Sequence, residues 1–342
     1  MKVHAKSPLR LGLAGGGTDV APYSDIYGGQ VLNATISLFT HCHIIPASDK
    51  NIHFSAADFN ISISLPLHDK IVLEGQLVLH KAVYYSIIKK FNNGRPLALN
   101  VTTYSDAPPG SGVGSSSSLV VCMIQAYREL LNLPLGEYDV AHLAYEIERV
   151  DCGLAGGKQD QYAAAFGGFN FMEFGLNDKV IVNPLRLKTA LANELESRLL
   201  LYYTGQSRDS AKIIESQISA TQTPNSPAIL AMHSIRKAAT DMKEALLQGH
   251  ITEVLEILGA SWHSKKLAAT SISNSYIDEI ATVATTAGAS GLKISGAGGG
   301  GFMMIAVCPE HRLHVIRALE KFNGRFFTFT FTEQGAQSWK SK

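Results

Sequence analysis

Between Pro108 and Leu119 the chain reads PPGSGVGSSSSL, a run with almost no side-chain atoms to pack and a high density of unshielded backbone N–H groups. Glycine lets a backbone approach a ligand closely, and serine is favoured where a helix starts. A helix opening near Ser115, Ser116 and Ser117 turns its unpaired donors and the positive end of its dipole toward the loop made by Pro109, Gly110, Gly112 and Gly114. That chemistry suits a polyphosphate. The apolar run Leu119 to Ile124 anchors the helix, so the segment does not read as a free Gly/Ser linker. It is not a Walker A loop either, because Ser115 stands where that motif needs a lysine.

A second glycine cluster, KISGAGGGGF at 293–302, contains G-x-G-x-x-G at Gly296, Gly298 and Gly301. A dinucleotide fingerprint requires a helix next, whereas FMMIAVC reads as a strand, and the context excludes that use. More glycine than a hairpin needs implies close approach of a ligand or of another backbone.

These loops need elements to hold them. Strand patterns fall at 10–13, 31–37, 61–65, 97–103 and 169–174, and apolar residues at three- and four-residue spacings predict helices at 79–91, 116–131 and 138–150. Strand patterning lapses near 183–193. Beyond it come a strand at 199–203, several helices broken at 223–227, a helix at 277–287, strands at 291–295 and 302–308, a helix at 311–322 and a strand at 326–332. Setting the extra helices aside, the order is β-α-β-β-α-β, the ferredoxin-like split order.

At 342 residues, against roughly 150 per domain, the length favours two domains. A net charge of +1 argues against a nucleic-acid surface, so any phosphate site is local. Cys42, Cys122, Cys152 and Cys308 are scattered without a C-x-x-C pair, which suits reduced thiols in a cytoplasmic protein. No window approaches the roughly 18 apolar residues of a membrane span, and the N-terminus lacks a signal-peptide core. The expectation is a cytoplasmic protein with no nucleic-acid or membrane partner. A homodimer is left open.

Taken in order, PLRLGLAGGGTD at 8–19, PPGSGVGSSSSL at 108–119 and KISGAGGGGF at 293–302 resemble the three motifs of the GHMP kinases, which include galactokinase, homoserine kinase, mevalonate kinase and phosphomevalonate kinase. The resemblance spans nearly the whole chain. It implies an α+β, two-domain fold, with a ribosomal-S5-domain-2-like N-terminal domain over 1–185, a ferredoxin-like C-terminal domain over 186–342, and the active site between them. Where galactokinases carry Gly-Glu-His-Thr-Asp, this chain has Gly15-Gly16-Gly17-Thr18-Asp19. That departure, with Gly28-Gly29 and GGKQDQYAAAFGGF at 156–169, is similar to the bacterial D-glycero-D-manno-heptose 7-phosphate kinases, and fucokinase-type domains share part of it.

The resemblance implies ATP- and Mg²⁺-dependent phosphorylation of the anomeric C1 hydroxyl of that heptose phosphate, giving the 1,7-bisphosphate for nucleotide-activated heptose and surface polysaccharide such as lipopolysaccharide. Another sugar 1-kinase, fucokinase- or galactokinase-like, is the runner-up, and a non-catalytic sugar sensor of the same fold is the reading from a different class. By the family motifs, ATP lies on Pro109, Gly110, Gly112, Gly114, Ser115, Ser116 and Ser117, and Mg²⁺ on Ser116 and Glu148. Glu146 rivals Glu148, since two residues separated by about 200° around a helix cannot both face the cleft. Asp160 takes the catalytic position, with N-terminal capping of its short helix as the alternative. Arg10 takes the cationic position, unless it is a surface residue on its strand. Gly17, Thr18, Asp19, Gly298 and Gly299 fall in the substrate-binding set. A substrate phosphate needs cations, and Lys158 and Arg208 are the candidates, Arg because it binds phosphate bidentately. His41 and His43 share a strand face but lack a third ligand for a metal.

Overall fold

A long antiparallel pair founds the first sheet: β1 (Lys2–Ala14) is joined through α1 (Tyr23–Tyr27) to β2 (Gly29–Pro46). A computed structural model describes residues 1–176, 178–207, 210–221 and 226–342. β2 is long enough to serve three neighbours. One edge pairs β1, while the far edge pairs β5 (Leu99–Ser105) along its second half. Before β5 come β3 (Asn51–Ala56), β4 (Ile61–Pro66) and helix α2 (Val78–Phe91), with β3 parallel to β5 and β4 on the outer edge.

Three helices follow: α3 (Ser115–Leu131), α4 (Glu137–Tyr145), which runs into a π-helical turn Glu146–Asp151, and α5 (Gln159–Phe166). The sheet is completed by β6 (Phe169–Phe174), on the first half of β2, and β7 (Val180–Leu185) beside it. Helices α2 to α5 cover one sheet face, where Val3, Ile44, Phe54, Val120, Ile124, Tyr127 and Ala163 are buried together.

The second half runs α6 (Thr189–Ser197), β8 (Leu199–Tyr203), α7 (Ser210–Ala220), α8 (Pro227–Gln248), α9 (Ile251–Ala268), α10 (Ser275–Thr286), β9 (Ala289–Ile294), β10 (Phe302–Val307), α11 (Arg312–Leu319) and β11 (Arg325–Phe327). Local sequence sets the helix starts. Ser226 caps α8 by accepting the Ile229 N–H at 3.3 Å with Pro227 in its first turn, and Asn274 caps α10 through the Ile277 N–H at 2.9 Å. The strands order β11-β8-β10-β9, all antiparallel, as the ferredoxin-like split order requires. LLLYY and FMMIAV are apolar throughout because both faces of this sheet are covered. Leu199, Leu201, Phe302 and Met304 pack toward β1, β2, α8 and α9, while Leu200, Tyr202, Met303 and Ile305 pack toward α10 and α11.

The first of these clusters is one core shared by both sheets, so the halves do not hang on a linker. The chain end departs from the expected division at residue 186. β11 stops at Phe327, Phe331 bridges Ile36, and β12 (Gln337–Ser341) pairs β1 at the edge of the first sheet. The last strand thus lies with the N-terminal half. The predicted helix at 138–150 is also two elements, α4 and the π-helical turn.

Candidate active site

The phosphate-loop glycines are required by their backbone. Gly110, Gly112 and Gly114 have φ of 66°, 79° and 75°, the left-handed region that other residues avoid. Gly114 is the N-cap of α3, and no side chain caps it, so the first-turn donors at Ser115, Ser116 and Ser117 face the loop. Pro109, Gly110, Ser115 and Ser116 also border an apolar cavity of about 330 Å³ with Phe59 and Leu77. Neither Phe59 nor Leu77 stands out in the sequence, because nothing about β3, β4 or α2 marks them as ligand-facing.

The glycine cluster at 293–302 serves the same loop by packing backbone on backbone. A Cβ on Gly296 would lie 2.5 Å from the Gly112 carbonyl oxygen, one on Gly112 would lie 2.6 Å from that of Ser295, and one on Gly301 2.3 Å from that of Ser111. The Phe302 N–H donates to the Ser111 carbonyl at 2.8 Å. Of the two outcomes that the glycine excess implied, close approach of another backbone is the one this packing displays.

Beside the loop, Asp160 and Arg10 meet. Arg10 Nε donates to Asp160 Oδ1 at 2.6 Å, and its Nη1 donates to the Gly112 carbonyl at 2.7 Å and to Ser295 Oγ at 3.2 Å. Arg10 is buried, which removes the surface alternative. Asp160 abuts the loop: a Cβ on Gly114 would sit 3.2 Å from its Cγ. Four segments distant in sequence therefore converge through one guanidinium.

The two glutamates, both in the π-helical turn, face opposite ways. Glu148 is buried and accepts from Ser116 Oγ at 2.9 Å through Oε1 and from Gln161 Nε2 at 2.5 Å through Oε2. Glu146 points out to Lys90 Nζ at 2.6 Å. Ser116 and Glu148 offer hard oxygen donors side by side at the loop, which fits Mg²⁺. Among the described residues no group of three or more His, Cys, Asp or Glu side chains could hold a metal by itself.

A cavity of about 350 Å³ runs from this loop to Gly17 and Asp19, and Arg10, Glu148, Asp160 and Lys265 also line it. Asp19 is buried and takes the Gly17 N–H at 3.1 Å, Gln159 Nε2 at 2.9 Å and the Gln159 N–H at 3.1 Å. Gly157 lets it in, since a Cβ there would lie 1.9 Å from Asp19 Oδ2.

Four expected ligand contacts are corrected. Thr18 is fully buried, its single O–H shared between the carbonyls of Gly15 and Gln30 at 2.8 and 2.9 Å while its oxygen accepts the Gln30 N–H at 3.0 Å, so the hydroxyl is taken up in shaping the loop. Lys158 turns away from the cleft to pair with Asp178 Oδ1 at 2.5 Å, over the Tyr145 ring. Gly298 and Gly299 pack on Ile272, whose carbonyl accepts the Gly299 N–H at 2.7 Å, and it is Gly296 and Ala297 that reach the cavity wall. Arg208 lies outside the described residues. His41 and His43 are sheet residues, stacked on Tyr104 at 4.4 and 5.8 Å between ring centroids.

Lys265 went unnoticed in the sequence. It lies on the buried stripe of α9 with Leu258, Ser261 and Trp262, and a lysine at that spacing was the available signal. Its Nζ donates to the Gly296 carbonyl at 2.5 Å. Burial, reinforced by Arg10, pushes its pKa down to about 8, against the opposing pull of Asp19 and Asp160.

This combination of fold and site defines a family. The description "GHMP kinases N terminal domain" matches residues 78–168 and "GHMP kinases C terminal" matches 242–325, and the chain belongs to the GHMP kinases. It is 47% identical over 338 residues, covering 99% of both chains, to the D-glycero-alpha-D-manno-heptose 7-phosphate kinase of Campylobacter jejuni. A crystal structure described as a D-glycero-D-manno-heptose 1-phosphate kinase from Bacteroides thetaiotaomicron superposes with a TM-score of 0.85 at 45% identity, over 99% of both chains. The L-fucokinase/L-fucose-1-P guanylyltransferase of Bacteroides fragilis is 27% identical over 99% of this chain and 38% of its own length.

Proposed function

We propose that the protein is an ATP-dependent kinase that phosphorylates the anomeric C1 hydroxyl of D-glycero-D-manno-heptose 7-phosphate. The observation that carries the reading is the meeting of Asp160 and Arg10 with the phosphate loop, in a chain 47% identical from end to end to a heptose 7-phosphate kinase. The names of the two heptose relatives place the phosphate differently, at C7 and at C1, and a phosphate already at C7 leaves C1 as the natural acceptor.

In this reading the adenine and ribose occupy the cavity beside Phe59 and Leu77, and the phosphates lie on the loop and the start of α3. Ser116 and Glu148 would hold Mg²⁺, which would supply charge neutralisation on the phosphate chain. Asp160 accepts the proton of the attacking hydroxyl, a modest demand because an anomeric hydroxyl is more acidic than an ordinary alcohol. Arg10 fixes the Asp160 carboxylate in place through its 2.6 Å hydrogen bond. Lys265 puts a second cation beside the negative charge that gathers as the phosphoryl group moves.

A panel of sugars and sugar phosphates, with L-fucose and D-galactose included, assayed for ADP release and for the site of phosphorylation, tests the proposal. Turnover of the heptose 7-phosphate to a 1,7-bisphosphate is expected. Fast turnover of an unphosphorylated hexose with none of the heptose phosphate overturns the substrate. Asp160→Asn should lower kcat by about 10²- to 10⁴-fold while ATP binding, read by calorimetry, stays within a few-fold.

A further inference from the structure

The far wall of the same cavity holds polar atoms that the reaction chemistry does not use. Gln159 and Gln217 are both more than nine-tenths buried and both line it. Gln159 spends its Nε2 on Asp19 Oδ1 at 2.9 Å, which fixes the amide and leaves Oε1 without a partner among the described residues. Gln217, on α7, has its Nε2 buried and equally without a partner. The two tips converge on the triple-glycine loop from opposite halves of the molecule. A Cβ on Gly16 would meet Gln159 Nε2 at 3.6 Å, and one on Gly17 would meet Gln217 Oε1 at 3.7 Å and Nε2 at 3.9 Å. Gln159 Oε1 itself lies 3.9 Å from where a Cβ on Gly12 would sit, so both tips border the glycine-rich turn at the cavity wall, their unpartnered atoms tucked just behind it.

A buried acceptor and a buried donor without partners are costly unless a ligand supplies the complements. One seeks an O–H and the other a lone pair, and a hydroxyl-rich ligand provides both. With the phosphoryl donor confined to the loop and Asp160 marking the reacting end, the body of the acceptor has room against Gly17, between these amides.

On the kinase reading given above, we propose that Gln159 Oε1 and Gln217 Nε2 read two hydroxyls of the acceptor sugar, one from each half of the molecule, and so set which sugar is phosphorylated. Asp19 acts through Gln159, as the residue that orients its amide. A sugar lacking either hydroxyl leaves the matching amide atom dry, and is discriminated against at binding more than at the chemical step.

Gln217→Met keeps length and volume while removing the donor. Its steady-state kinetics are to be measured on D-glycero-D-manno-heptose 7-phosphate and on its monodeoxy analogues, with the thermal midpoint as a folding control. The expected result is a rise of about 10- to 100-fold in KM for the full sugar phosphate, with kcat and the KM for ATP within about threefold. On one monodeoxy analogue, the one lacking the partner hydroxyl, wild type and variant should be equal. An unchanged KM for the sugar, or an equal loss on every analogue, overturns the assignment. A wild-type enzyme idle on the heptose phosphate but active on another sugar overturns the substrate reading alone, and the variant measured on that sugar and its deoxy forms still decides the role of Gln217.

Discussion

At the scale of residues, the site is built from pairs in which one member positions the other. Glu148 is oriented by Gln161 and Ser116, Asp160 by Arg10, and Gln159 by Asp19. If Ser116 and Glu148 hold the metal, Ser116→Ala and Glu148→Gln should each raise the Mg²⁺ concentration that supports half-maximal rate by about tenfold or more, read from titrations at saturating ATP. Chelation should abolish turnover in all three proteins. A second residue-level consequence concerns His80, which is buried on α2 with its ring 2.8 Å from Thr103 Oγ1. Burial pushes its pKa down from 6.5 to about 4. The neutral ring is the form the fold accepts, so its contribution is complete above about pH 6.5 and is lost as pH falls from there toward 4. Its loss is worth on the order of 2–3 kcal/mol. Urea unfolding of ligand-free protein from pH 7 to 4 should show a steeper acid-side loss for wild type than for His80→Asn, and parallel curves would refute it.

At the scale of elements, the three glycine segments form one support. The 293–302 hairpin presses its backbone onto the phosphate loop, and the strand carrying Arg10 ties in from the other side, with the Arg10 N–H donating to the Val113 carbonyl at 3.1 Å. Gly301 has a φ of 86° as well as the Ser111 carbonyl where a Cβ would go. Gly301→Ala should therefore cost about 2 kcal/mol or more of folding stability and raise the KM for ATP, although residue 301 touches no nucleotide in the proposed reading. Equal denaturation midpoints and an equal KM would show that the loop has slack. The sequence showed that these glycines were needed for close approach, but it carried no sign of what approached them. That depends on a pairing across about 190 residues of chain, and local pattern holds no information about such a pairing.

At the scale of the molecule, one core joins the two sheets, and the chain end ties them again by adding β12 to the edge of β1. Removing residues 333–342 should expose the β1 edge and the α3 side chains under Ser338 and Trp339, where Gln125 Nε2 donates to Ser338 Oγ at 3.2 Å. The truncated protein is expected to melt several degrees lower and to self-associate, checked by calorimetry and light scattering. An unchanged melting point would make the last strand dispensable.

Much of this protein was determined by its sequence alone. The glycine and serine content of 108–119 specifies a left-handed glycine loop opening a helix, the second-half strand order specifies a split βαβ sheet, and the ordered motifs carry the family. These are local properties, written in propensity, periodicity and spacing. The tertiary structure decided the rest. It paired Lys158 with Asp178, enclosed the Thr18 hydroxyl in its own turn, set Glu148 beside Ser116 while Glu146 meets Lys90, and brought Lys265 and Gln217 into the cleft from the other half. The physical reason is that a side chain's task follows from what is packed against it, and those neighbours lie far away along the chain.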